Sequence, residues 1–185
     1  MPERRRFRTP GPPRAVHGVT LERLNAMPAA EAETALLDCC ASREWARRVV
    51  AARPFASRQA LFDTGDKLWL LVARSDWMEA FRAHPRIGES KNPTEASERQ
   101  RAWSKGEQEK AARADDALRV ELASLNDEYE AMFGFIFIIC AAGLTTKQII
   151  NAMLDRMKND GGTELRVAAA EQAKITRLRL EKLLA

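Results

Sequence analysis

Histidine is nearly missing from this chain: of 185 residues only His17 and His84 carry an imidazole. Cysteine is sparse as well, and Cys39, Cys40 and Cys140 form an odd set without a CxxC pair. Adjacent Cys39 and Cys40 would make a strained disulfide. With so few nitrogen and sulfur donors at ligand spacing, a zinc or iron centre is not expected. Three thiols in apolar helical surroundings instead fit a reducing compartment, so cytoplasm is the expected location. No uninterrupted apolar run reaches about 18 residues, which argues against a membrane span. No glycine-rich nucleotide loop is present. Runs rich in Val, Ile and Thr are scarce, which disfavours sheet.

Alanine, leucine, arginine and glutamate dominate, and these are helix formers. Hydrophobic residues make up 45% of the chain and charged ones 30%, as in ordinary globular domains. The length suits one domain with its own core. The net charge of +4 invites a nucleic-acid reading until it is located. Arg4, Arg5, Arg6, Arg8 and Arg14, opposed by Glu3, account for it within residues 1–19, and the rest is balanced. A phosphate-tracking surface needs cationic clusters on the folded body. The expectation is therefore a disordered basic leader over 1–19, no nucleic-acid or membrane partner, and a folded domain over 20–185.

The pattern reads as all-α, a single compact domain of roughly eight helices. Thr20, Ser42 and Ser57 are N-cap candidates, and Pro28 suits the first turn of a helix reaching Ala41. A helix from Ser75-Asp76 must stop near His84-Pro85, because the residue before proline avoids the α region. Residues 85–103 look irregular. Ser104 then heads a long helical pattern to Phe133, with Gly134 as a left-handed stop. Thr145 and Gln148 suggest a capping box, and a last helix is expected from Thr163.

Four segments could carry chemistry. His84 is the one ordinary side chain in the folded part that titrates near neutrality, held on a stiff turn by Pro85 and Gly88; the simpler reading is a structural histidine ending a helix. Ser104, Glu107 and Gln108 share one helix face, where a carboxylate and an amide could grip a ligand rich in N–H and C=O groups; the simpler reading of Ser-x-x-Glu is a cap. The run Phe135 to Ala142 is core, yet a helix starting soon after Gly134 would leave free backbone N–H groups. Arg179, between leucines, could face inward and clamp an anion, or lie in solvent.

Taken in order, these segments resemble the 2-oxo-4-hydroxy-4-carboxy-5-ureidoimidazoline (OHCU) decarboxylase family. The matching pieces are Asp76-Trp77-Met78-Glu79-Ala80-Phe81, His84-Pro85-Arg86-Ile87-Gly88 and Trp103-Ser104 with Glu107-Gln108. Leu125-Asn126, Tyr129, Phe133-Gly134-Phe135-Ile136-Phe137-Ile138 and Glu171 to Leu180 continue the match, which covers about residues 20–184. Many family members carry proline where this chain has Ile136.

The resemblance implies an all-helical, usually dimeric enzyme with neither metal nor organic cofactor. It would release CO₂ from an unstable ureide of urate breakdown and leave (S)-allantoin. By the motif matches, His84 is the catalytic acid/base, and Glu107 and Arg179 position the substrate. Ser104 and Gln108 hydrogen-bond its ureido and ring groups, Pro85 lines the pocket, and backbone groups of Phe137, Ile138, Ile139, Cys140 and Ala141 hold the ring. Two rival readings are a helical interaction module that uses the basic leader, and a related enzyme with a different ureide substrate or a hydrolytic reaction.

Overall fold

The computed structural model describes residues 19–89, 96–109 and 116–185; the leader expected over 1–19 lies almost wholly outside the described residues. Nine α-helices and no strand are present among the described residues, with all the large buried apolar side chains in one cluster. The order is α1 (Leu21–Ala26), α2 (Ala29–Cys39), α3 (Arg43–Ala51), α4 (Arg58–Leu71) and α5 (Arg74–Arg82). Then come α6 (Glu98–Glu107), α7 (Asp116–Phe133), α8 (Thr146–Arg156) and α9 (Gly161–Leu183).

Most boundaries obey local chemistry. The hydroxyls of Thr20, Ser42, Ser57 and Thr145 each accept the backbone N–H three residues on, satisfying a donor the helix itself cannot. Asp160 does the same for Gly162 and Thr163, so α9 begins at Gly161, two residues before the expected start. The ninth helix arises between 97 and 133. Ser97 caps α6 together with Gln100, and the helix ends at Glu107. Ser104 is therefore not an N-cap but a buried residue in the last turn of α6, and 98–103 are helical rather than irregular. Caps lie outside the apolar pattern, and here two Ser-x-x-(Gln/Glu) sequences compete for one helix start.

Helix α9, 23 residues long, is the axis of the fold and packs against α2 and α4. Leu165, Ala168, Ala169, Gln172, Ile175, Thr176, Arg179, Leu180 and Leu183 form its buried stripe at helical spacing. The fully buried Trp45 and Trp69 anchor the neighbours: Trp45 Nε1 donates to Gly65 O at 3.0 Å and Trp69 Nε1 to Ala169 O at 2.8 Å. Truncating either to alanine would cost about 3–5 kcal/mol.

Gly134, at φ +77°, ends α7 in the left-handed conformation. No new helix begins directly behind it. Residues 135–145 run without helix, burying Phe135, Phe137, Ile138 and Ala141, and α8 starts only after Thr145. Aromatic and β-branched side chains favour that extended path, so the N-terminus expected close behind Gly134 is displaced to Thr146.

Candidate active site

Helix α5 delivers His84. Its last turn closes with Ala83 and His84 N–H donating to Ala80 and Phe81 carbonyls, and Pro85 prevents continuation. The turn over 85–88 is pinned from two helices. Asn126 Nδ2 donates to Ile87 O at 3.0 Å, and Gly88 N–H donates to Gln108 Oε1 at 3.1 Å. Gly88 sits at φ +81°, and a β-carbon there would stand 2.6 Å from Leu122 Cδ2, so only glycine fits. Arg86 holds the outside of the turn through Asp127 and Glu130.

His84, Ile87, Ser104, Glu107, Gln108, Ile139, Cys140, Ala141, Ala142 and Ile175 line a pocket of about 30 Å³. Arg179, only 3% exposed, stands behind two of the lining residues: Nε and Nη2 donate to Glu107 at 3.2 and 2.9 Å, and Nη2 also donates to Ser104 Oγ at 3.0 Å. Lys182 Nζ reaches the same carboxylate at 3.0 Å. Two cations thus face one carboxylate, leaving a positive excess beside the pocket. Arg177 turns away, pairing with Asp66 and lying over the Phe62 ring, so Arg179 is the arginine at this site.

His84 is half-buried, and its imidazole is crowded by protein. Desolvation first, then the positive charge of Arg179, pull its pKa down to about 3, partly opposed by Gln172. The ring is therefore neutral at pH 7, with one nitrogen carrying a hydrogen and the other offering a lone pair. Burial also raises the Cys140 thiol, which leaves it an unreactive wall.

The residues singled out from sequence are not all equivalent in space. His84, Ser104, Glu107, Gln108, Ile139, Cys140 and Ala141 share the pocket, with Arg179 behind them. Pro85 adjoins His84 but is not among the lining residues. Phe137 and Ile138 lie in the core, Phe137 edge-on to Tyr129 and the Ile138 carbonyl accepting from Arg156 at 2.8 Å. The Cys140 N–H is taken by Glu171 at 2.9 Å. Ile87, Ala142, Ile175, Gln172 and Lys182 escaped the sequence reading. Helical spacing could have found three of them, because 172, 175 and 182 share a face of α9 with Arg179.

Among the described residues, no three His, Cys, Asp or Glu side chains converge to hold a metal ion, and no helix is long and apolar enough to cross a membrane.

A family profile described as OHCU decarboxylase matches residues 25–181. The uric acid degradation bifunctional protein TTL of Arabidopsis thaliana is 40% identical over 146 residues, 78% of this chain. The chain spans 45% of that relative's length, and 32% and 26% of two bifunctional relatives from Bacillus. The 2-oxo-4-hydroxy-4-carboxy-5-ureidoimidazoline decarboxylase of Halalkalicoccus jeotgali is 30% identical, over 89% of this chain and 92% of its own. A crystal structure of an OHCU decarboxylase in the presence of (S)-allantoin superposes with a TM-score of 0.69 at 38% identity, covering 80% of this chain and 95% of that one.

Proposed function

As the chain belongs to the OHCU decarboxylase family, we propose that it converts 2-oxo-4-hydroxy-4-carboxy-5-ureidoimidazoline to (S)-allantoin and CO₂ in urate breakdown, without a cofactor. The observation that carries this reading is the convergence of a neutral His84 with Glu107 on one pocket, with the buried cation Arg179 paired to that carboxylate from behind.

The chemistry asks little more of the protein. The bond from the ring to the carboxylate breaks, CO₂ leaves, and the electron pair forms a carbon–carbon double bond to the ureido-bearing carbon. The adjacent C=N shifts its electrons onto nitrogen, which takes up one proton. The resulting enol then loses its hydroxyl proton while the ureido-bearing carbon gains one, and this last step sets the stereocentre. The ring's own C=N is the electron sink.

In this reading the positive excess of Arg179 and Lys182 over Glu107 attracts the anionic substrate and holds the neutral product less tightly. His84 accepts the hydroxyl proton and returns one to the neighbouring carbon on a single face. Ser104 and Gln108 orient the ureido and ring groups, backbone groups of Ile139 and Ala141 hold the ring, and Pro85 stiffens the turn that carries His84. We extend the proposal to a 20–185 catalytic domain with a 1–19 leader, a homodimer, and a cytoplasmic location; the three unpaired thiols support the last. Light scattering of the purified chain tests the dimer.

The decisive experiment is a circular-dichroism time course on urate treated with urate oxidase and hydroxyisourate hydrolase. Addition of the protein should bring a rapid, lasting (S)-allantoin signal that His84→Asn abolishes. Decay no faster than the blank, with folded protein, would overturn the proposal.

A further inference from the structure

Gln172 stands behind His84, on the α9 face that carries Arg179. It is fully buried, an unusual place for an amide unless every polar atom is used. Its Nε2 donates to Thr176 Oγ1 at 3.2 Å, one turn further on. The Thr176 hydroxyl also lies beside the buried Cys40 thiol. With Nε2 turned to Thr176, the other end of the amide is the oxygen. Its Oε1, buried and without a hydrogen-bond partner among the described residues, faces the His84 imidazole.

A buried carbonyl left unpaired costs about 1–3 kcal/mol. A neutral imidazole beside it has one N–H to place. Each group supplies what the other lacks, and hydrogen bonds of proton-handling groups often tighten only when a ligand is bound.

We propose that Gln172 is a positioning residue that fixes the tautomer of His84: the ring nitrogen facing α9 carries the hydrogen, and the nitrogen facing the pocket presents its lone pair. The inference rests on the reading of His84 as the proton-handling group. It explains why a neutral histidine serves there, because a lone pair aimed into the pocket can take a proton only if the other nitrogen is already committed. The charged groups around the ring are Arg179 from α9 and Glu107 from α6, with the Cys140 thiol on the 135–145 segment; Gln172 is the neutral group among them.

The test uses the full chain labelled with ¹⁵N-histidine. Only two imidazoles exist, and His17→Ala identifies the second. Long-range ¹H–¹⁵N spectra at pH 7 should show His84 as one dominant neutral tautomer. Gln172→Met should collapse it toward a mixture and lower kcat about tenfold, the rate equivalent of one hydrogen bond, with KM nearly unchanged. Gln172→Glu should restore a single tautomer and move the acidic limb of the pH–rate profile upward, because a carboxylate stabilises imidazolium. If Gln172→Met fails to fold, Thr176→Val, which frees the amide to rotate, should show the same loss.

A hydrogen on the pocket-facing nitrogen, or a tautomer indifferent to both substitutions, would overturn the positioning role while leaving the decarboxylase reading intact. A Gln172-dependent tautomer in a protein without turnover would support the positioning and sink the decarboxylase reading instead.

Discussion

Two carboxylate–arginine pairs are buried along α9, one near each end, and they differ in everything but composition. Near the N-terminus, Glu164 is wholly inaccessible. Its Oε1 receives Tyr129 and Arg156, its Oε2 receives Asn159 at 2.8 Å, and Arg156 also holds the Ile138 carbonyl while stacking over Phe137. One cation meets one anion, and the neighbours that complete the group are neutral or apolar. Near the C-terminus, Glu107 meets two cations, and the group borders a pocket instead of a core. The first pair is closed and charge-balanced and fastens the extended 135–141 segment to α8 and α9. The second is open and cation-rich, which is what an anionic ligand needs. Charge balance, more than burial, distinguishes the two pairs.

Matched substitutions should break the two pairs in different ways. The largest effect is expected from Arg179→Met, which removes the buried cation beside the pocket. Turnover in the circular-dichroism assay should fall about 10²–10³-fold, as when a pre-organised donor is lost. Its stability cost should be the smaller of the two, because Lys182 still pairs with Glu107. Arg156→Met should do the reverse. Glu164 loses its cation in a dry setting, so urea unfolding should show a loss of about 3–5 kcal/mol, while the turnover of molecules that remain folded changes far less. Equal activity losses for both variants would erase the distinction.

The pH dependence of stability sharpens the same contrast. His84 has a folded-state pKa depressed to about 3, against 6.5 for the free side chain. Between those values the unfolded chain binds a proton that the folded one refuses. Stability should therefore fall as pH drops from about 6.5 toward 3 and stay level above it, with a slope of about 1.4 kcal/mol per pH unit at most from this group. His84→Asn should flatten that part of a urea-midpoint series, whereas Arg156→Met should leave its slope in place. The smallest effect is expected from Arg177→Ala. Its half-exposed pair with Asp66 is worth under about 1 kcal/mol, and turnover should not change.

How legible the molecule was depended on the range of the interactions involved. Thr20, Ser42, Ser57, Thr145 and Gly134 announce their roles because capping and left-handed stops are settled within four residues. Ser104 misled for the same reason: Ser-x-x-Glu is a locally valid cap, and only the start of α6 at Ser97 shows that the helix was already under way. The run Phe135 to Ala142 was legible as core, yet its extended backbone depends on a long-range grip from Arg156 and Glu171.

The sequence by itself determined the all-α class, most helix ends, the scarcity of histidine, and the short list of residues able to handle a proton or an anion. These come from local propensity and composition, which the unfolded chain already possesses. Tertiary structure alone decided that His84 meets Glu107 from a distant part of the sequence, that Arg179 and not Arg177 faces inward, and that Gln172 turns toward the imidazole an oxygen without a partner among the described residues. It also decided that His84 is neutral. Desolvation and charge act through space, so a pKa belongs to the packed surroundings of a side chain and has no value until the chain has folded around it.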